Sequence, residues 1–397
     1  MTAAFACSGC SKKTEPGTAA PSTGENHTTA SVDGSEENLQ AQQNKDLPVL
    51  NWEEMSPTGS MDLLYADQFS ADYYEDGIAL ITIGDADQFL LLPEGVSAPD
   101  GLPASITVLQ KPVKNIYLVA TSAMDDFIRL DALDSIALSG TKETGWYLPE
   151  AKTAMEEGKI AYAGKYSAPD YETIVSSSCE LAVESTMIYH TPEVKEQLER
   201  LGIPVLVERS SYESHPLGRM EWIRLYGLLT GKEEEADQIF QENMNALSDV
   251  LAMKPSGKTA AFFYVTNSGS VNVRKNGDYI AKMIDIAGGT YVPENAGTGE
   301  NALSTMNMDF ESFYAAAKDA DVLIYNSTID GELTTIDELC AKNQLFADFK
   351  AVKEGNVWCT GKNMFQETMG LGDMIRDMNA VFSGNREYAF TYLHQLK

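Results

Sequence analysis

Two short stretches, 309 − 170 = 139 residues apart, carry the same reactive groups. Asp170-Tyr171-Glu172-Thr173-Ile174 and Asp309-Phe310-Glu311-Ser312-Phe313 each run acid, aromatic, glutamate, small hydroxyl, large apolar. An Asp just ahead of a helical run can cap it, and a Glu in the first turn is favoured by the helix dipole. The phrase therefore reads as a pseudo-repeat that puts one first-turn glutamate at each of two equivalent places. The other candidate chemistry lies in loops leaving the carboxyl ends of strands, where open α/β sheets bind ligands. These loops hold Ser122, Tyr166, Tyr189, Arg209 and Tyr212 in the first half, and Ser268, Arg274, Asn326 and Phe365 in the second. The aromatic rings suit a flat ligand, and arginine offers a planar fork for carboxylate or catecholate oxygens. Packing accounts for their neighbours. His190 is expected to shape a helix start, His215 to brace the approach to a long helix, and Arg219 and Glu221 to pack or pair inside it. Met124, Met187 and Met364 read as core filler.

Catalysis needs converging groups, and the sequence does not supply them. Of four histidines, His27 lies in a polar tract and His394 near the C-terminus. H-E-x-x-H, G-x-S-x-G, the P-loop and G-x-G-x-x-G are absent in the required contexts. Without a nucleophile, base and orienting group, a binding protein is expected rather than an enzyme, with no cofactor. The five cysteines, Cys7, Cys10, Cys179, Cys340 and Cys359, contain only one C-x-x-C pair, so no zinc site is expected.

The chain has 397 residues, long enough for two domains, with 43% hydrophobic and 22% charged residues. Twenty-nine basic against 59 acidic residues give a net charge of −30. That disfavours nucleic acid and broad adhesion to anionic lipid. No apolar run is long enough to cross a membrane.

Residues 11–46 are rich in Ser, Thr, Gly, Glu, Asn and Gln, a composition too polar to repay ordering, so a flexible tether is expected. Beyond it the pattern alternates. "YEDGIALITIGDADQFLLLPEG" (74–95) reads as a β-hairpin around Gly84, inside a β-rich stretch 47–110. "NIYLVA", "SIALSG", "ELAVES" and "PVLVE" read as strands of a first lobe, 111–216, with helices between them, one opening at Thr191-Pro192 and closing at Gly202. Residues 217–252 read as one long helix, with Gly231 marking a bend rather than an end. A second lobe, 253–397, repeats the alternation and is expected to finish with a helix over 371–383 and another in the last ten or so residues. Alternating helix and strand argues for parallel α/β sheets.

The arrangement resembles the substrate-binding proteins of ABC importers for ferric siderophores, haem and cobalamin. "ITVLQKPVKNIYLVATSAMDDFIRLDALDSIALSGT" is similar to that family's opening strand, Ser-bearing loop, helix and second strand. "APDYETIVSSSCELAVES", "LERLGIPVLV" and "SHPLGRMEWIRLYGLLTGKEEEA" follow in the family's order. The resemblance covers about residues 105–397 and implies two α/β lobes joined by one rigid helix, with the cleft between them. It implies that Glu172 and Glu311 pair with arginines of a permease dimer, and that the cargo is a metal chelate or tetrapyrrole. "MTAAFACSGCSKK" resembles a lipobox, which implies lipidation at Cys10, or alternatively Cys7, and a monomer held outside the membrane by that anchor alone. It departs from the lipobox pattern in lacking a basic n-region. Two other functions stay open: a chelate-processing enzyme on the same fold, and a surface module that binds a partner protein through its acidic face.

Overall fold

The computed structural model describes residues 50–85, 87–294, 296–297 and 304–397. The candidate anchor cysteines Cys7 and Cys10 and the tether 11–46 lie outside the described residues.

The chain first builds a five-stranded sheet from β1 (Gly59–Ser60), β2 (Phe69–Tyr73), β3 (Ala79–Ile83), β4 (Asp87–Pro93) and β5 (Ile106–Lys111). The strands lie in sequence order, antiparallel except for the parallel β4–β5 pair. The expected hairpin is present as β3 and β4, inside this larger sheet. Period-two alternation divides its side chains between two faces. Phe69, Ala71, Ile81, Ile83, Phe89 and Leu91 enter the main core. Leu80, Leu90 and Leu92 enter a smaller cluster covered by Leu50, Trp52 and Tyr74. With both faces covered, "FLLLP" can be a continuous apolar run and still be a strand.

The next sheet has the order β12-β11-β6-β7-β8, with all neighbours parallel. Its strands are β6 (Ile116–Leu118), β7 (Ile136–Ser139), β8 (Ala161–Tyr162), β11 (Leu181–Ser185) and β12 (Val205–Glu208). A small ribbon of β9 (Gly164–Lys165) and β10 (Ala168–Pro169) precedes β11. Helices α1 (Ala123–Arg129), α2 (Pro149–Glu156), α3 (Tyr171–Ser176) and α4 (Pro192–Arg200) connect these strands. The second lobe is built on β13 (Lys258–Val265), β14 (Val271–Arg274), β15 (Gly289–Val292), β16 (Thr305–Met308), β17 (Val322–Tyr325), β18 (Val357–Thr360) and β19 (Leu393–Gln395). Matching β6 with β13, β7 with β15, β11 with β17 and β12 with β18 gives both lobes one parallel order, β12-β11-β6-β7 and β18-β17-β13-β15. The two α/β lobes are thus topological copies.

The connecting segment, expected as one helix, is laid down as α5 (Pro216–Glu221), α6 (Ile223–Thr230) and α7 (Glu233–Leu251). At Trp222 the bonding tightens, with its N–H reaching the Arg219 carbonyl at 3.3 Å. Gly231 adopts φ 76° and ends α6 rather than bending it, because a left-handed residue stops the i→i−4 ladder. α6 packs on α1 of the first lobe, while α5 meets α8 (Tyr279–Ile286) and α7 meets α11 (Leu371–Ser383) of the second. One hydrophobic core therefore runs from Phe127 through Tyr226 to Ile284 and Met374. Of the other second-lobe helices the longer two are α9 (Phe310–Ala317) and α10 (Ile336–Lys342).

Two local expectations are corrected. The last residues form β19, antiparallel to β18, not a helix. Their backbone N–H groups are drawn elsewhere: Thr391, Tyr392 and Leu393 all donate to the buried Asp377 carboxylate. Thr191 stands at the start of α4, but its side chain makes no cap bond and its Oγ1 is buried without a partner among the described residues. Gly202 closes that helix region as expected, at φ 80°.

Candidate functional site

The repeated phrase folds the same way twice. Asp170 caps α3, its Oδ1 accepting from Thr173 N at 3.1 Å and its Oδ2 from Thr173 Oγ1 at 2.8 Å. Asp309 caps α9 with the same two bonds from Ser312, both 2.8 Å. These bonds, the backbone N–H first, hold both Asp carboxyls below their ordinary range. Glu172 and Glu311 follow in the first turns, both exposed. α3 leads into β11 and α9 into β17, the matched strands, so the two carboxylates occupy equivalent places.

Beneath α3 lies a carboxyl that sequence reading did not single out. Glu184, on β11, is fully buried, and neither oxygen has a partner among the described residues. Tyr117 and Tyr171 are its ionisable neighbours. Burial pushes its carboxyl up from 4.5 to about 8. The folded chain then keeps a proton that the unfolded chain releases above about 4.5, so this group's contribution falls as pH rises toward and through about 8. Glu184→Gln should remove that slope. Urea midpoints of wild type and variant should converge or cross with rising pH, the wild type losing roughly 3–5 kcal/mol more than the variant between pH 5 and 9. Parallel pH profiles would refute the assignment.

The nine cleft candidates separate into groups. Arg209, Tyr189 and Tyr212 come together: Nη1 donates to Tyr189 Oη at 3.2 Å, and the guanidinium lies 5.0 Å from the Tyr212 ring. Both tyrosines are exposed. Arg274 and Phe365 also meet, the guanidinium 5.2 Å from the ring. Tyr279, not anticipated, joins them with Arg274 at 5.9 Å and Arg219 at 4.1 Å from its ring. Arg219, read from sequence as a packing residue, is buried here, and its Nε has no partner among the described residues. Asp126, which feels the charge of Arg219, is fully buried, and its carboxyl is pushed well above its ordinary range by burial and then by the charges of Asp125 and Glu208.

The remaining candidates each make local contacts. Ser122 Oγ contacts Glu208 at 3.4 Å, Tyr166 packs on the first-lobe core, and Asn326 Oδ1 caps its own turn through Thr328 N at 3.1 Å. Ser268 bonds Thr266 and Ser270 within an exposed turn. His215 accepts from Leu217 N at 3.2 Å and stacks on Tyr65 at 4.7 Å, bracing α5 as expected.

The segment after Phe365 ties the lobes together. Gln366 donates to Gly145 O at 2.8 Å and accepts from Tyr147 N at 2.7 Å. Thr368 donates to Ser122 O and Met369 N to Asp125 Oδ2, each at 2.9 Å.

The N-terminal sheet is fastened by two buried glutamates. Glu221 accepts the N–H groups of Leu64, Tyr65 and Ala66 at 2.8–2.9 Å. Glu213 accepts those of Asp67 and Gln68 and the Trp222 indole N–H. Burial pushes the Glu213 carboxyl up to about 7, against the pull of these donors. Five consecutive amides thus face two carboxylates. Sequence offered no signal for this, because each partner lies more than a hundred residues away.

Among the described residues no cluster of three His, Cys, Asp or Glu could hold a metal, and no helix is long and apolar enough to cross a membrane. Burial pushes the Cys179 and Cys359 thiols up to about 11.

Two α/β copies around a broken helical connector, with capped glutamates on both, define a bilobal solute-binding architecture. The family model for periplasmic binding proteins matches residues 118–364, more than half of the chain, and the protein belongs to that family. An uncharacterized lipoprotein of Methanocaldococcus jannaschii is 24% identical over 357 residues, 83% of each chain. Among solved structures, a periplasmic heme binding protein from Pseudomonas aeruginosa shares the fold with a TM-score of 0.54 at 14% identity, covering 72% of this chain and 98% of that one. An ABC-type Fe3+-hydroxamate transport system protein from Saccharomonospora viridis gives 0.52 at 18% identity, covering 68% and 93%.

Proposed function

We propose that this protein is the extracytoplasmic solute-binding component of an ABC importer. It captures an anionic metal chelate of the ferric-siderophore type, or haem or cobalamin, and delivers it to a permease dimer. The observation that carries this is the duplicated Asp-capped glutamate at matched strands of two lobes: a twofold permease offers two equivalent basic pockets, and one chain meets both only with an acid from each half. Arg209 and Arg274 with their rings supply the anion- and ring-binding chemistry for the cargo. In this reading residues 1–46 are anchor and tether, lipidated at Cys10 or alternatively Cys7. Residues 47–110 are an extension, 111–216 and 253–397 the lobes, and 217–252 the connector. The lipoprotein name of the archaeal relative supports the anchor. The protein acts as a monomer and turns nothing over.

The test is native mass spectrometry and visible absorbance of the protein purified from its own host. One bound metal chelate or tetrapyrrole, released unchanged, is the expected result. A bound sugar or peptide, or conversion of an added chelate, would overturn the assignment.

A further inference from the structure

The N-terminal sheet precedes the matched residues 118–364, yet the segment leading into its second strand reaches Arg209. Gln68 is held on three sides: its N–H donates to Glu213 at 3.1 Å, its carbonyl accepts from Gly84 N at 2.8 Å, and its side-chain Nε2 donates to Asp67 Oδ1 at 2.6 Å. The last bond fixes the amide with Oε1 toward Arg209, where it accepts from Nε at 3.2 Å and Nη2 at 3.0 Å. The β3–β4 turn presses on the same group. A Cβ at Gly84 would stand 3.1 Å from Arg209 Nε, on a backbone at φ 58°. Tyr189 takes one Nη1 hydrogen, and Tyr212 lies against the guanidinium.

A guanidinium has five N–H groups. Three are engaged here, which leaves one on Nη1 and one on Nη2. No carboxylate pairs with Arg209 among the described residues, although the chain carries a net charge of −30. An amide can align an arginine's side edge as a carboxylate does, without cancelling the charge.

We propose that Gln68, supplied by the extension, is a positioning residue of the cargo site. It holds the Arg209 guanidinium rigid and uncompensated, so that the two free N–H groups take one planar oxyanion of the cargo, a carboxylate or catecholate, between Tyr189 and Tyr212. This rests on the cleft being the cargo site. It adds that the extension, not the lobes alone, sets selectivity.

The decisive variant is Gln68→Glu, which keeps shape and reach but gives Arg209 a negative partner. Full-length protein is titrated by tryptophan fluorescence with ferric citrate and with the ferric complex of 2,3-dihydroxybenzoate. Wild type should bind at least one of them. Gln68→Glu and Arg209→Ala should each weaken that binding about tenfold or more, and Gln68→Ala by a smaller factor, about threefold. Equal dissociation constants for wild type, Gln68→Glu and Arg209→Ala overturn the proposal, while binding by wild type leaves the transport reading standing. Failure of wild type to bind either chelate overturns the oxyanion class. A second readout needs no cargo. Phenylglyoxal, which attacks unpaired guanidinium groups, should label Arg209 faster than the ion-paired Arg224, and Gln68→Glu should slow Arg209 to the Arg224 rate. Equal labelling of Arg209 in both proteins overturns the proposal.

Discussion

Replacing Glu172 and Glu311 together by alanine should abolish cargo uptake by cells while leaving the protein's affinity for its cargo unchanged. Both side chains are exposed, and the bonds that cap the two helices run from Thr173 and Ser312 to Asp170 and Asp309. The fold should therefore lose no more than about 2 kcal/mol, the upper size of two dipole interactions at the surface. Two charge pairs lost at an interface are a larger matter, each on the order of 1.5–3 kcal/mol or more. Together they should reduce docking by at least a hundredfold, with single variants intermediate. Uptake of radiolabelled iron chelate and permease binding in nanodiscs measure the two halves of the expectation. A double variant that transports normally, or one that has lost cargo affinity, contradicts the division of labour between acids and cleft.

The largest stability effect is expected at Glu221. This carboxylate is fully buried, accepts three consecutive backbone N–H groups, and faces Arg224 at 3.3 Å. Glu221→Ala strands those donors and leaves a cation without its buried partner, a loss of roughly 3–5 kcal/mol. The damage should be local before it is global. Amides of Leu64, Tyr65 and Ala66 should exchange with solvent at least a hundredfold faster, while amides of β13 and β17 keep their protection under native conditions. Glu221→Gln, similar in size but with one acceptor replaced by a donor, should fall between wild type and alanine. Unchanged exchange at 64–66 in the alanine variant would show that the segment is held by something else.

The sequence carried some of this architecture plainly and hid the rest for physical reasons. The phrase at 170 and 309 was legible because capping is local: Asp, hydroxyl and helix turn sit within four residues. The two lobes were legible because buried parallel strands read as apolar runs between helices. The break at Gly231 was missed because a glycine within a helical pattern is read through the residues around it, whereas its left-handed φ is fixed by how α6 and α7 pack. The terminal strand was missed for a similar reason: the acceptor for its donors, Asp377, lies on another helix. Arg209, Tyr189 and Tyr212 were picked from sequence as residue types suited to a ligand, and the fold brings the three together. Gln68 and Tyr279 were not picked, because the contacts that give them meaning, with Arg209 and Arg219, are long-range. Arg219 and Glu221 were assigned to packing by their helical setting; the structure adds a buried Nε for the first and a backbone clamp for the second.

The clasp made by Gln366, Thr368 and Met369 across to the first lobe bears on how cargo leaves. Lobes stitched by four hydrogen bonds and sharing one core cannot swing apart cheaply, unlike a jaw on a loose hinge. If the protein delivers cargo as proposed above, emptying it falls to the membrane machinery, which must prise the two halves apart as it draws on ATP, while the receptor by itself behaves as a cradle of fixed width.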